Sequence, residues 1–368
     1  NAETGKRFGR SLDPDTNGYT SESFEEGTVG LDMTLSLFEG FSRINQVRFR
    51  KMNKERSEWE LKEKQNELAY QVTDAYYKLI LERKSLDLAL EQSRLSERYL
   101  KQTEVFVELG LKSASDLQEV KARREGDIYR YQSRENSSRI ALLHLKQLMN
   151  IQPGDTLAIL DTITASQVPP YSVSTVETLY AQSIEILPSI RMIDLKQKAA
   201  HKEYAIAGGA FSPSVFARFT VGSNYYNTAF SARQLRDNIG KYVGVGISFP
   251  LLSGLQRLTN QRKLKLNMYR LKNEEELEKQ QLYTDIEQTL LSLHTGYSEH
   301  QQALSQLDAE TLVLKESERK WEEGLISVFQ LMEARNRFIA AKAELVRVRL
   351  QIEMMMKLEK YYRQGTFL

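Results

Sequence analysis

Two stretches of this chain, each about 70 residues long, contain almost nothing that breaks a helix. One runs from Gly40 to Gly110 with no glycine or proline between them. The other runs from Gly254 to Gly324 and is interrupted only by Gly296. Both are rich in Leu, Glu, Lys, Gln, Arg and Ala, which are good helix formers. A 70-residue helix is roughly 105 Å long, whereas helices of globular proteins typically run about 8–20 residues. Ordinary compact folds therefore accommodate neither stretch. Past each closing glycine the helical composition resumes, from Leu111 to about Asn150 and from Leu325 to about Gly365. The chain reads as two very long helical hairpins. Between them, 151–173 holds Pro153, Gly154, Pro169 and Pro170 and reads as a connector. Helical character returns from Ser174 to about Ile206, with Pro188 predicting a kink or break.

The two hairpins are copies of one unit. A shift of 214 residues lays Leu37-Phe38-Glu39-Gly40-Phe41-Ser42-Arg43 on Leu251-Leu252-Ser253-Gly254-Leu255-Gln256-Arg257. The same shift, without a gap, lays Gly110-Leu111-Lys112-Ser113 on Gly324-Leu325-Ile326-Ser327. Leu117 meets Leu331, Glu119 meets Glu333 and Arg123 meets Arg337. Equal length between matching start and stop signatures implies that both copies span the same distance.

A short alternating segment precedes each long helix. Val29, Leu31, Met33, Leu35 and Leu37 alternate with Gly30, Asp32, Thr34 and Ser36, and Val243, Val245, Ile247 and Phe249 alternate with Gly244, Gly246 and Ser248. This is strand periodicity. Val215, Ala217, Phe219 and Val221 form a third set, whose polar side is broken by Phe216. The polar segments 11–27 and 225–240 read as hairpin loops. A partner strand within 1–10 is barely legible. Two architectures fit: an ordinary half-buried sheet, or a barrel with an apolar lipid-facing side and a polar water-facing side. Four strands cannot close around a wide lumen, so a barrel needs several chains.

Composition excludes several function classes. Lys and Arg total 51 against 49 Asp and Glu, a near balance that argues against a nucleic-acid partner. Cysteine is absent, which removes disulfides, thiolate metal sites and a cysteine nucleophile. The four histidines, at 144, 201, 294 and 300, do not share ligand spacing, so no metal is expected. No phosphate-cradling glycine loop or Ser/His/Asp arrangement stands out, so neither an enzyme nor a cofactor is expected. No apolar run approaches a membrane helix. The chain starts at Asn1 without a leader pattern and is expected to be processed or truncated.

The doubled plan of strand, loop, strand, long helix, tip and returning helix resembles the TolC family of outer-membrane efflux proteins. The motifs that carry the resemblance are Leu37-Phe38-Glu39-Gly40, Phe249-Pro250-Leu251-Leu252-Ser253-Gly254, Gly209-Ala210-Phe211-Ser212-Pro213 and the tips that open at Gly110 and Gly324. Gly9-Arg10-Ser11-Leu12-Asp13-Pro14, followed by Thr16-Asn17, is similar to members from Bacteroidetes-like bacteria. The resemblance covers nearly the whole chain. It implies a mainly helical, trimeric fold with a membrane β-barrel portion. Each protomer gives four strands to a twelve-stranded barrel, and the helices form a periplasmic tunnel. It further implies a passive exit duct of a tripartite efflux or type I secretion system, with a periplasmic adaptor and an inner-membrane transporter as partners. The family's first helix and most of its first strand are expected to lie upstream of residue 1. The implied segments are 1–38 and 207–252 for the strand pairs, 39–150 and 253–368 for the hairpins, and 151–206 for the connector and equatorial helices.

Site residues follow from both sources. Gly110 and Gly324 read as left-handed helix stops, and Ser113 and Ser327 as N-caps of the returning helices. The resemblance adds that these tips, with Leu111 and Leu325, meet the adaptor. It places Glu333, Gln330 and Asp116 at the pore constriction, where three Glu333 side chains would form an anionic ring. The position that matches the usual basic partner of Asp116 is Ile326 here, so it supplies no cation for a salt-bridge lock. Thr34, Ser36, Arg218, Thr220 and Ser248 are expected to face the barrel lumen, and Val243, Val245, Ile247 and Phe249 to face lipid. Trp321 is expected to pack rather than bind a substrate. The competing reading is a soluble coiled-coil scaffold or spacer, which has no use for the strands.

Overall fold

The computed structural model describes residues 1–12, 17–21, 23–152, 154–160, 168, 174–227, 232–251 and 255–367. Asp13, Pro14, Thr16, Pro153, Pro169, Pro170 and the junction Leu252-Ser253-Gly254 lie outside them. In chain order the elements are β1 (Ala2–Arg7), β2 (Ser11–Leu12), β3 (Tyr19–Thr20), β4 (Phe24–Glu39), α1 (Ser42–Glu108), α2 (Ala114–Leu148), α3 (Val176–Ile186), α4 (Pro188–Gly209), β5 (Ser214–Asn227), α5 (Ala232–Asp237), β6 (Gly240–Ser248), α6 (Gln256–Glu322) and α7 (Val328–Gln364). The helices α1 and α6 have 67 residues each, about 100 Å at the standard rise. No helix of the described residues is long and apolar enough to cross a membrane. Pro188 is a clean break. The helix before it closes at Leu187, whose ψ is 133°, and the proline opens α4, where its missing N–H costs nothing.

Contacts group the chain into two units, 1–56 with 193–274 and 57–192 with 275–368. In the first unit, β1, β4, β5 and β6 form one antiparallel sheet in that order. The strand that was barely legible within 1–10 is present: Ala2 to Arg7 pair with Val29 to Phe24. It carries no apolar alternation because it is exposed throughout, and a main-chain ladder forms without it. The strand β4 also starts earlier than its apolar set suggests, through Glu25 and Glu26, where Arg7 pairs with Glu26 at 2.9 Å. A bulge at Leu37 shifts the register between Ser36 and Phe38. Within the segment read as a loop at 225–240, Ala232–Asp237 is helical. Gln234 anchors it by accepting from the Tyr226 N–H at 3.2 Å.

The second unit holds the apolar cores. Leu179, Leu187 and Ile190 pack with Leu282, Ile286 and Leu293 of α6 and Val348 and Ile352 of α7. Ala75 and Leu79 of α1 meet Leu145 of α2, with Leu157 and Ile159 of the connector laid against them. Nearest the tips, Tyr99, Val120, Trp321, Val328, Leu331 and Met332 bring all four long helices together. Trp321 is fully buried there, edge-on to Tyr99 at 5.3 Å, and so packs.

Candidate functional site

The sheet places its side chains in rows. Leu31 pairs with Val221, Met33 with Phe219 and Leu35 with Ala217; across the next ladder Phe219 pairs with Val243, Ala217 with Val245 and Val215 with Ile247. One face is therefore apolar across three strands. It is not a core: Val243, Val245 and Ile247 are 76 %, 70 % and 70 % exposed. On the opposite face Asp32 pairs with Thr220, Thr34 with Arg218, Ser36 with Phe216 and Ser214 with Ser248. All five residues expected on the lumen side thus share one face. Thr220 donates to Asp32 Oδ1 at 2.8 Å, and the Arg218 guanidinium lies over the Phe216 ring. The small Gly246 lets Phe216 cross the sheet, because a Cβ there would meet the ring at 2.5 Å. A sheet exposed on both faces, greasy on one and polar on the other, removes the half-buried alternative.

The two tips are built identically. Gly110 donates to the Val107 carbonyl and Leu111 to that of Phe106; Gly324 donates to Trp321 and Leu325 to Lys320. These paired bonds are the Schellman stop, with glycine at φ 72° and 75°. Leu111 and Leu325 do not fold back on their helices and stay exposed. Each returning helix opens with a capping box. The Ser113 hydroxyl accepts from the Asp116 N–H at 3.1 Å, and Asp116 accepts from the Ser113 N–H at 2.9 Å. Ser327 and Gln330 repeat the arrangement at 3.3 and 3.0 Å. Asp116 and Gln330 are equivalent under the 214-residue shift, and both side chains are committed to helix ends. Where the Asp116 lock lacks a basic partner at Ile326, Lys112 Nζ instead donates to the Ile326 carbonyl at 3.4 Å.

Hydrogen bonds from the Ser113 backbone and hydroxyl hold the Asp116 carboxyl below the ordinary carboxylate range. Its cap is complete above the unfolded value of about 3.9 and is lost as pH falls through the lower folded value. Amide exchange in the first turn of α2 should therefore accelerate on acidification, relative to its intrinsic rate. The first turn of α7, capped by the neutral Gln330, should not. Equal response of both turns would refute the assignment.

Glu333, one turn past the second tip, pairs with Arg337 Nη1 at 3.1 Å, and Arg337 Nε also reaches Glu310 at 3.3 Å. Its side chain remains 57 % exposed. A groove of about 420 Å³ between α2 and α7 is lined by Glu333 and by its repeat equivalent Glu119, together with Arg123.

The sequence model of a family described as outer membrane efflux protein matches residues 4–150 and 179–354. The chain belongs to the outer membrane efflux protein family. Its role is that of an outer-membrane channel in efflux, with the helical part in the periplasm. Three solved channels show the same fold. The Campylobacter jejuni CmeC outer membrane channel is 13% identical, with a TM-score of 0.80 over 99% of this chain and 77% of that one. The Vibrio cholerae outer membrane protein VceC is 15% identical, at 0.80 over 100% and 87%. The open state of the Neisseria gonorrhoeae MtrE outer membrane channel is 16% identical, at 0.75 over 100% and 80%. No curated protein sequence matches.

This efflux-family chain also buries a polar layer that the sequence reading missed. Arg335 and Asp127 are each 1 % exposed. Asp127 accepts from the Ser96 hydroxyl and lies 3.3 Å from Arg130. Arg335 donates to the Gln92 carbonyl and its guanidinium sits 5.7 Å from the Tyr99 ring centre. The Tyr99 hydroxyl donates to Glu318 at 2.9 Å. Burial, and then the nearby Glu318 carboxylate, push the Tyr99 hydroxyl pKa up, and burial lowers that of Arg335. The layer thus joins α1, α2, α6 and α7. The available signal was spacing: Arg335 follows Val328, Leu331 and Met332 at core-facing intervals.

Proposed function

We propose that three copies of this chain close their sheets into one twelve-stranded barrel in the outer membrane, continued by the helices as a passive duct into the periplasm. One observation supports this above all: the sheet is exposed on both faces, with lipid chemistry on one and water chemistry on the other. Its order also leaves β1 and β6 as edges, which a ring of copies would pair. A soluble scaffold leaves both features without a purpose. The chain carries no catalysis in this reading, and the energy for transport comes from an inner-membrane transporter linked through a periplasmic adaptor. Gly110, Leu111, Ser113, Gly324, Leu325 and Ser327 form the adaptor-binding tips, with the two exposed leucines as apolar contacts. Asp116 and Gln330 act at the constriction by fixing the first turns, and Glu333 supplies charge to the pore. Thr34, Ser36, Arg218, Thr220 and Ser248 line the barrel lumen.

Detergent-extracted protein should run as a trimer and conduct ions in a planar bilayer. A monomer that stays in buffer without detergent overturns the reading. Replacing both Leu111 and Leu325 with serine should abolish cross-linking to the adaptor without changing conductance. Removing Glu333 and removing Arg337 should act in opposite directions. Glu333→Ala should weaken cation preference, and Arg337→Ala, which frees the carboxylate, should strengthen it. Unchanged ion preference in both variants excludes a pore role.

A further inference from the structure

The near balance of charge over the whole chain conceals a strong local excess. Residues 42–56 carry Arg43, Arg48, Arg50, Lys51, Lys54 and Arg56 against the single acid Glu55, and 256–272 carry six Lys and Arg with no acid. These are the first four turns of α1 and α6. Both belong to the same compact unit as the sheet; α1 follows β4 after two residues and α6 follows β6 after seven.

The excess obeys the internal repeat. Arg48, Lys51 and Arg56 fall on Arg262, Lys265 and Arg270 at the 214-residue shift. Arg48, Lys51, Arg262 and Lys265 are exposed and have no ion pair among the described residues. The first-turn pair is held locally instead, Arg43 by Glu39 at 3.2 Å and Arg257 by the Ala210 carbonyl at 2.9 Å. Just above these turns sits another matched pair. Phe41 and Leu255 hold φ of 62° and 63°, a left-handed conformation that is disfavoured for a residue with a side chain. Both are exposed, at 64 % and 72 %. Reading down from the sheet, the order in both copies is apolar face, exposed apolar residue in a left-handed turn, then unpaired cations.

That order matches the order of a membrane leaflet from acyl chains to headgroups. Helix side chains slant toward their own N-terminus, so those of α1 and α6 lean toward the strands. Arg48 and Arg262 lie about 9 Å along the helix from its first residue, within reach of a headgroup layer about 5–8 Å thick and a Debye length of about 8 Å. We infer that these turns form a basic collar that binds the phosphate headgroups of anionic phospholipid in the periplasmic leaflet. The inference rests on the outer-membrane placement of the sheet. It commits to lipid because the collar continues the apolar face, not because the cations are numerous.

The test uses the full chain in neutral detergent, titrated with fluorescent phosphatidylglycerol or phosphatidylcholine. The native chain should bind phosphatidylglycerol at least about tenfold more tightly at low salt, and the preference should collapse near 1 M salt. The variant Arg48→Gln/Lys51→Gln/Arg262→Gln/Lys265→Gln should reduce the ratio to within about twofold. Swapping Arg for Lys and Lys for Arg at the same four positions should preserve it. So should Arg233→Gln/Arg236→Gln/Lys241→Gln, which removes cations from the opposite end of the strands. Bilayer conductance of the same preparations checks the channel separately, so intact conduction with no lipid preference sinks the collar and leaves the channel standing. Loss of conduction from the native chain sinks the channel reading itself. A preference that survives the four-fold neutralisation overturns the proposal. So does a shift in ion selectivity with the lipid preference unchanged, which would place these cations on the water-filled lumen.

Discussion

Val245→Arg should abolish assembly into the outer membrane, whereas Thr220→Arg, three residue rows away on the other face, should be tolerated. Val245 lies opposite Ala217, which lies opposite Leu35, so the substitution puts a cation in the centre of the apolar rows. An arginine facing lipid near mid-bilayer costs about 2–4 kcal/mol per chain, and a trimer incurs it three times. Thr220 faces the polar side and bonds Asp32, so an arginine there meets water and a carboxylate. The measurement is the fraction recovered in the outer membrane as a trimer that dissociates on heating. Normal assembly of Val245→Arg would mean that the exposed apolar face meets something other than lipid.

The second large effect concerns the buried layer above the tips. Asp127→Ala should speed amide exchange in the adjoining turns of α1, α2 and α7 by about two to four orders of magnitude. Breaking a buried ionic network from one side costs about 3–5 kcal/mol, because the remaining charge is left in a dry site. The charges left behind are Arg130, the ion-pair partner of Asp127 at 3.3 Å, and the buried Arg335, which senses the Asp127 charge and whose Nε and Nη1 already lack hydrogen-bond partners among the described residues. Arg335→Met should be neutral or stabilising, since a flexible apolar chain of similar length replaces a poorly satisfied cation. Adding Arg335→Met to Asp127→Ala should restore most of the loss, a coupling that a double-mutant cycle measures directly. Additive effects would show that the two charges do not sense each other.

The sequence reading and the structure part at specific residues. Gly110 and Gly324 announced the tips because only glycine takes a left-handed stop without strain, and that requirement is local. The equal 67-residue helices followed from the same glycines and from the lack of breakers between them. Asp116 and Gln330 were placed at a constriction by resemblance. The structure puts both in capping boxes, a role that Ser-x-x-Asp and Ser-x-x-Gln spacing already permitted. The strand at Ala2–Arg7 was almost invisible because a strand outside the apolar band needs no side-chain alternation. The basic collar was hidden for a different reason, since averaging charge over the chain cancels a local excess against acids elsewhere.

By itself the sequence determined the lengths, the repeat, the turns and the alternation of the strands. Each of these is dictated by backbone stereochemistry or by neighbours within a few residues. Tertiary structure alone decided that the apolar rows of three strands coincide on one uncovered face, and that Arg335 and Asp127 meet on one buried layer. Those outcomes depend on ladder register and helix packing between residues that lie tens to hundreds of positions apart, where no local preference reaches.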